Sequence, residues 1–426
     1  MANGLRGSRV SDGVWVQTLA ALVALRVMIP LAVLAASPKR IPLLPAYSYI
    51  PLNGDAYGSY HAAANLFAAF SSVMLGWIGV GSSVLIASFS VAAVIVWRAG
   101  IRWLAVLLPC LALSLPLGYL AREMAGSEAG VIGWSLAWAV GLLPLPLVGE
   151  SLNPDRAFAA GLVVSLAANA ATVVASAYIG LRATGRRSVG LIAAGLFATW
   201  PIWVGVIAGH RGWENGQWAA DAGLHMYSEP ISTTSVIVAI ALALSPRFTA
   251  TNAAVVGLLL GYATLVKLPN GLIAVAVALL VAWHHGIRRA AVLSLGGLVS
   301  APILIGFWPH GYVDSASGKG VDLGQLYRWS YVGDNFRTSP IFTRPMLLVL
   351  VPLALVGIAG VLGWFSRWLL LVPILATFVS FGGYYVTGHH PRFYFVILPL
   401  VFVLQAAGVM KIADIAARPR ARAVPD

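Results

Sequence analysis

Apolar runs of roughly 20 residues, the length that crosses a bilayer as a helix, recur along this chain from end to end, separated by polar stretches. They predict membrane-spanning helices over 14–36, 72–97, 101–121, 156–181, 189–208, 230–245, 252–267, 269–285, 289–308, 344–364, 367–387 and 392–411. The apolar stretch 129–149 holds Pro144 and Pro146. It is read as a re-entrant or half-spanning segment, because a full span there breaks the charge pattern given below. The expected fold is all-α and polytopic, a single domain over 1–426 with about twelve transmembrane helices (11–13). The first run holds Arg26 and is too long and too charged for a cleaved signal, so it is read as a retained span.

Composition agrees. Of 426 residues, 59% are hydrophobic and 10% charged, against about 25% charged in a soluble domain. The mean hydropathy is +0.86. Cys110 is the one cysteine, which excludes a disulfide framework and a CxxC metal site.

The net charge of +13 has a topological explanation. With the N-terminus inside, the inner segments carry Arg6, Arg9, Arg98, Arg102, Arg182, Arg186, Arg187, Arg247, Arg288, Arg289, Arg367, Lys411, Arg418, Arg420 and Arg422, against the acids Asp12, Asp414 and Asp426. The outer segments balance, with 11 cations and 11 acids. This is the positive-inside rule, and it removes nucleic acid as a partner. Both termini are then cytoplasmic. The basic tail 412–426 is a topogenic tail, with anionic lipid as the alternative partner. Inner connections are short, whereas the outer segments 37–71, 122–155, 209–229 and 309–343 are long and hold most of the acids and histidines. Chemistry is expected on the outer face.

Four places could carry it. Asp55 follows the Asn53–Gly54 turn and fits the N-cap of a surface helix whose one face holds Tyr57, Tyr60, His61, Ala64 and Phe67. A cap keeps the carboxylate ionised, and an ionised carboxylate can take the proton of an attacking sugar hydroxyl; the alternative is a plain cap. The segment 209–229 gathers His210, Arg211, Glu214, Asp221, His225 and Glu229 among Trp213, Trp218 and Tyr227. Alternating rings and hydrogen-bonding groups suit a sugar; the alternative is an interfacial aromatic belt. Asp221 and His225 are spaced i, i+4 for a metal, but no third ligand is evident, so no cofactor is expected and a divalent metal is left open. Lys267, in Leu265-Val-Lys-Leu-Pro-Asn270, sits at a break between two apolar segments and suits an anionic head group or snorkelling to the interface. His389, His390 and Arg392 open the last span; Arg392 suits a phosphate, the alternative being an interfacial anchor. The loop 309–343, with Trp329, Tyr331 and Asp334, resembles an acceptor-facing or lid segment. No P-loop, GxSxG or HExxH occurs.

Together these features resemble the GT-C superfamily of polyprenyl-phosphate-sugar-dependent membrane glycosyltransferases. The matching features are an acid in the first outer loop, a surface helix after it, the cationic break Thr264-Leu-Val-Lys-Leu-Pro269, and Arg392-Phe-Tyr at a late span. The region Ser151-Leu-Asn-Pro-Asp-Arg-Ala157 is also similar. The resemblance implies an inverting transfer from a polyprenyl-phosphate sugar to an extracytoplasmic glycan, glycolipid or protein. Asp55 would be the general base, and Lys267 and Arg392 candidates for the donor phosphate. Many relatives have paired acids where this chain has Asp55-Ala-Tyr57, which speaks against a metal-dependent mechanism. Single-acid members resemble bacterial mannosyl- and arabinosyltransferases of the cell envelope, so mannose or arabinose and the bacterial plasma membrane are expected. The rivals are a transporter or flippase of lipid-linked glycans, and a ligase of the same. No internal repeat favours transport, and a ligase would use arginine and histidine rather than a loop-one acid.

Overall fold

The computed structural model describes residues 10–36, 62–68, 77–123, 132–142, 154–208, 228–307, 327–338, 344–384 and 391–421. Helices dominate them: α1 (Asp12–Ala36), α2 (Trp77–Arg98), α3 (Arg102–Glu123), α4 (Ile132–Leu142), α5 (Pro154–Thr184), α6 (Arg187–Ala208), α7 (Glu229–Ala243), α8 (Ala250–Val266), α9 (Asn270–His285), α10 (Ile287–Leu298), α11 (Ala301–Phe307), α12 (Ser330–Thr338), α13 (Arg344–Ile358), α14 (Trp364–Gly382) and α15 (Leu398–Ala421). A 3-10 segment, Pro391–Ile397, leads into α15, and a short helix over 62–68 precedes α2. The one β contact among the described residues is a bridge between Tyr327 and Tyr384.

Among the described residues, seven helical stretches are long and apolar enough to cross a membrane: Asp12–Ala32, Gly81–Arg98, Arg102–Ala121, Ala159–Thr184, Ile287–Phe307, Trp364–Gly382 and Phe393–Ala417. The chain is a multi-pass membrane protein. Its outward faces carry large apolar side chains such as Val84, Val91, Ile95, Leu279, Trp283 and Ile305, which hydrocarbon accepts and water would not. Within the stretch 129–149 the described residues form α4, of 11 residues, about 16 Å long at 1.5 Å each. Ile132, Trp138 and Leu142 bury it against the bundle.

α5, α6, α7 and α15 form the centre; α1 lies on α5 and α6, and α13 on α15. α8 joins this group to α3 and α10, and α9 packs on α14. Lipid gives helices little hydrophobic reason to associate, so small residues at the seams supply close van der Waals contact. A side chain at Gly257 would strike the Leu293 carbonyl across the α8–α10 seam, and one at Gly408 the Leu353 carbonyl across α13–α15. Arg26, fully buried within α1, donates to Asn169 Oδ1 of α5 at 3.0 Å and lies 5.1 Å from the Phe197 ring centroid of α6. A cation inside a membrane bundle needs such partners.

The two ends of the bundle differ. Four connections turn on glycines with positive φ, Gly100 (83°), Gly185 (70°), Gly286 (92°) and Gly363 (72°); the first three fall in segments that the charge count puts inside, and Gly363 lies at the inner end of a predicted span. There Arg186 grips Asp414 through two hydrogen bonds of 3.0 and 2.7 Å, Arg187 pairs with Asp12, and the Leu362 N–H donates to the Ala183 carbonyl at 2.7 Å. Segments assigned to one side by sequence thus meet at one end.

Gly257→Val and Gly408→Val should each destabilise the protein by about 1–3 kcal/mol through overpacking. Gly81→Ala, with nothing within 4 Å of the added carbon, should leave the thermal midpoint in detergent unchanged.

Candidate functional site

The opposite end is built around the break between α8 and α9. Lys267 leaves α8 in extended backbone, φ −149° and ψ 113°, its N–H still bonded to the Ala263 carbonyl. Pro269 then caps a new helix at Asn270, since proline disfavours helical backbone in the residue before it. α7 begins beside this break at Glu229, with Pro230 in its first turn, where the missing N–H costs nothing.

Lys267 Nζ lies 2.5 Å from Glu229 Oε1, the side chains being 12% and 4% exposed. The ammonium also sits 4.5 Å from the Phe393 ring centroid and 6.0 Å from that of Phe381, within cation–π range. Both helix ends favour the pair, because a carboxylate suits the start of α7 and an ammonium the end of α8. Asn270 is buried between them: its Nδ2 donates to Ser232 Oγ at 2.8 Å and to the Ala263 carbonyl at 2.9 Å. Ser380 Oγ of α14 donates to the Pro269 carbonyl at 3.3 Å.

Residues 327–338 close over this end. Asn335 donates to the Gly382 and Tyr384 carbonyls, each at 2.7 Å, and the Tyr327 hydroxyl to the Val379 carbonyl at 2.6 Å. Beneath them, between α9 and α14, runs an open groove of about 430 Å³ lined by Leu268, Pro269, Leu272, Tyr327, Trp329, Val379 and Ser380. The short helix 62–68 reaches the same region. Its Ala62 and Leu66 pack with Leu120, Ile132, Ile303, Phe307 and Leu265, and Leu265 precedes Lys267 by two residues.

The expected surface stripe on that helix is corrected in register. Its deepest residues are Ala62, Ala63 and Leu66, while Ala64 and Phe67 are half-buried. The helix is wedged among the ends of α3, α4, α8 and α11, so its smallest residues take the tightest contacts. Lys267 is likewise not a snorkelling residue, since its ammonium is drawn inward by Glu229. Arg392 lies on the 3-10 segment next to Phe393, with its backbone described. Asp55, Tyr57, His61, Arg211, Glu214, Asp221, His225, His389 and His390 lie outside the described residues. Among the described residues, no three His, Cys, Asp or Glu side chains gather as metal ligands.

Sequence reasoning did not foresee the pairing of Glu229, nor the roles of Asn270 and Asn335. A signal existed for the pair: an acid before proline at one apolar helix start, and a lysine before Leu-Pro at a neighbouring helix end, must each find a partner once buried.

No protein-family model and no curated protein matches the sequence. Among solved structures, the chain is similar to the archaeal oligosaccharyltransferase AglB from Archaeoglobus fulgidus, in complex with an inhibitory peptide and a dolichol-phosphate. That likeness has a TM-score of 0.40 and 12% identity, over 70% of this chain and 44% of that one. The chain therefore spans less than half of that protein's length.

Removing one member of a buried pair strands the other charge, at about 3–5 kcal/mol. Lys267→Met and Glu229→Gln should each lower thermal stability by that order, and the double variant Lys267→Met/Glu229→Met should regain most of the loss. Additive losses in thermal unfolding would show that the two side chains act independently.

Proposed function

We propose that this protein is a GT-C-type inverting glycosyltransferase with about twelve spans. It transfers a sugar, mannose or arabinose, from a polyprenyl-phosphate donor to a glycan, glycolipid or protein acceptor outside the bacterial plasma membrane. Asp55 is the general base. The observation that carries the reading is the apolar cluster that the helix 62–68 shares with Leu265. That helix follows Asp55 in the first outer loop, and Leu265 precedes the Lys267 break by two residues; the Phe393 ring on the Lys267 ammonium belongs to the same 3-10 segment as Arg392. These neighbours support a reading in which an acid for the acceptor and cations for a phosphate act at one end of the bundle.

The chemistry is consistent with that inventory. A polyprenyl phosphate is already a good leaving group and needs cations more than an acid. The acceptor hydroxyl needs a base poised to take its proton. The groove beside Lys267, apolar along Leu268, Leu272 and Val379 and aromatic at Tyr327 and Trp329, suits the first isoprene units of such a donor. Arg211, Glu214, Asp221 and His225 in the second long outer cluster, with Tyr57 and His61, serve to bind the sugar and acceptor. His389 and His390 assist Arg392 at the phosphate.

Asp55→Asn should abolish transfer from a radiolabelled polyprenyl-phosphate mannose or arabinose while the protein still inserts and melts as the wild type. Undiminished turnover would remove Asp55 from the mechanism. Arg392→Ala should weaken donor binding at least tenfold with a smaller effect on acceptor KM; an unchanged donor affinity overturns its phosphate role.

A further inference from the structure

At the end of the bundle opposite Lys267, a cavity of about 180 Å³ opens between the α5–α6 turn, the end of α13 and α15. Val189, Leu362 and Met410 are among its apolar walls, while Arg186, Lys411 and Asp414 line it with charge. Most cations near it are already engaged. Arg187 pairs with Asp12, Arg182 lies 4.9 Å over the Tyr178 ring, and Arg367 Nε donates to the Val361 carbonyl at 3.0 Å. Arg186 spends both terminal nitrogens on Asp414. Among the described residues, Lys411 Nζ and the Nε–H of Arg186 remain without an acceptor.

Among the described residues, the cavity thus carries one uncompensated positive charge beside an apolar wall. Leu362 in its wall is 58% exposed, and Ile412 and Ile415, on the same helix as Lys411 and Asp414, are exposed at 46% and 53%, as side chains facing hydrocarbon are. A ligand that matches both properties has a singly charged anionic head and an apolar chain. We propose that this cavity binds the phosphodiester head group of an anionic phospholipid from the leaflet at this end. The phosphate oxygens would accept from Lys411 Nζ and Arg186 Nε, and an acyl chain would run along Leu362 and Ile412. Asp414 sharpens the choice: a phosphomonoester or free phosphate, which carries more than one negative charge at neutral pH, would exceed the single available charge, whereas a phosphodiester carries one. A basic pocket between membrane helices on the positive side is a recurrent place for such head groups. The site is independent of the sugar-transfer reading.

The full-length protein in detergent, stripped of lipid, tests this with three probes: dioleoylphosphatidylglycerol, dioleoylphosphatidylcholine and inorganic phosphate. The first should raise the thermal midpoint and appear as a bound adduct by native mass spectrometry; the other two should do neither. Lys411→Gln should weaken phosphatidylglycerol binding roughly fivefold, the contribution of one cation near a membrane surface, while Lys411→Arg retains it. Arg289→Gln, at an exposed cation of the same end, should leave it unchanged. An equal response to phosphatidylcholine, an equal response to inorganic phosphate, or wild-type binding by Lys411→Gln would each overturn the proposal.

Discussion

The burial of Glu229 against Lys267 constrains everything around it. Two charges taken out of water cost several kcal/mol each, which only good geometry offsets. That geometry exists only if the start of α7, the end of α8 and the 3-10 segment that carries Phe393 reach the same point at the same depth. Asn270 and Ser380 then tie α9 and α14 to it through side chain–side chain and side chain–backbone bonds. The lengths of the helices follow. α7, α8 and α9 have 15, 17 and 16 residues, about 22–26 Å at 1.5 Å per residue, several ångström short of a roughly 30 Å hydrocarbon core. If their basic ends sit at one interface, their other ends stop below the opposite surface. Broken backbone, as at Lys267, is tolerated at such depth where protein surrounds it.

The two ends of the bundle accordingly do different work. At the basic end the connections are minimal, turned on positive-φ glycines and locked by the Arg186–Asp414 and Arg187–Asp12 pairs. At the other end α7, α8 and α9 are short, and Asn335 and Tyr327 fasten residues 327–338 to the end of α14.

Much of this was legible in the chain. Runs of apolar residues announce helices because hydrocarbon leaves the backbone no other way to satisfy itself, and each run is met by a helix. The charge count sorted Asp12, Arg187, Arg186 and Asp414 onto one side before their contacts were known. The Pro269 break was likewise visible, because proline acts locally. What was not legible depends on neighbours distant in sequence. Nothing near Arg26 points to Asn169, nothing near Glu229 points to Lys267, and the small-residue face of the helix 62–68 is set by the helices it wedges between. An amphipathic stripe describes a helix on a flat surface, and here the surface is curved and crowded.

The buried pair also changes what Lys267 can contribute to the proposed reaction. Its charge is already balanced by Glu229 at 2.5 Å, so the field it projects toward a phosphate is largely that of a dipole, which falls off faster with distance than that of a lone cation. A donor phosphate then has to draw its net positive charge from elsewhere, and Arg392 stands one residue from the ring that covers Lys267. On this view Lys267 acts mainly by position. Its ammonium holds Phe393, and Phe393 fixes the 3-10 segment to which Arg392 belongs. The same logic explains why the chain retains a buried ion pair where an apolar pair of equal volume would be as stable. Two leucines would fill the space, but they would not specify which ring packs there or at what depth α15 begins.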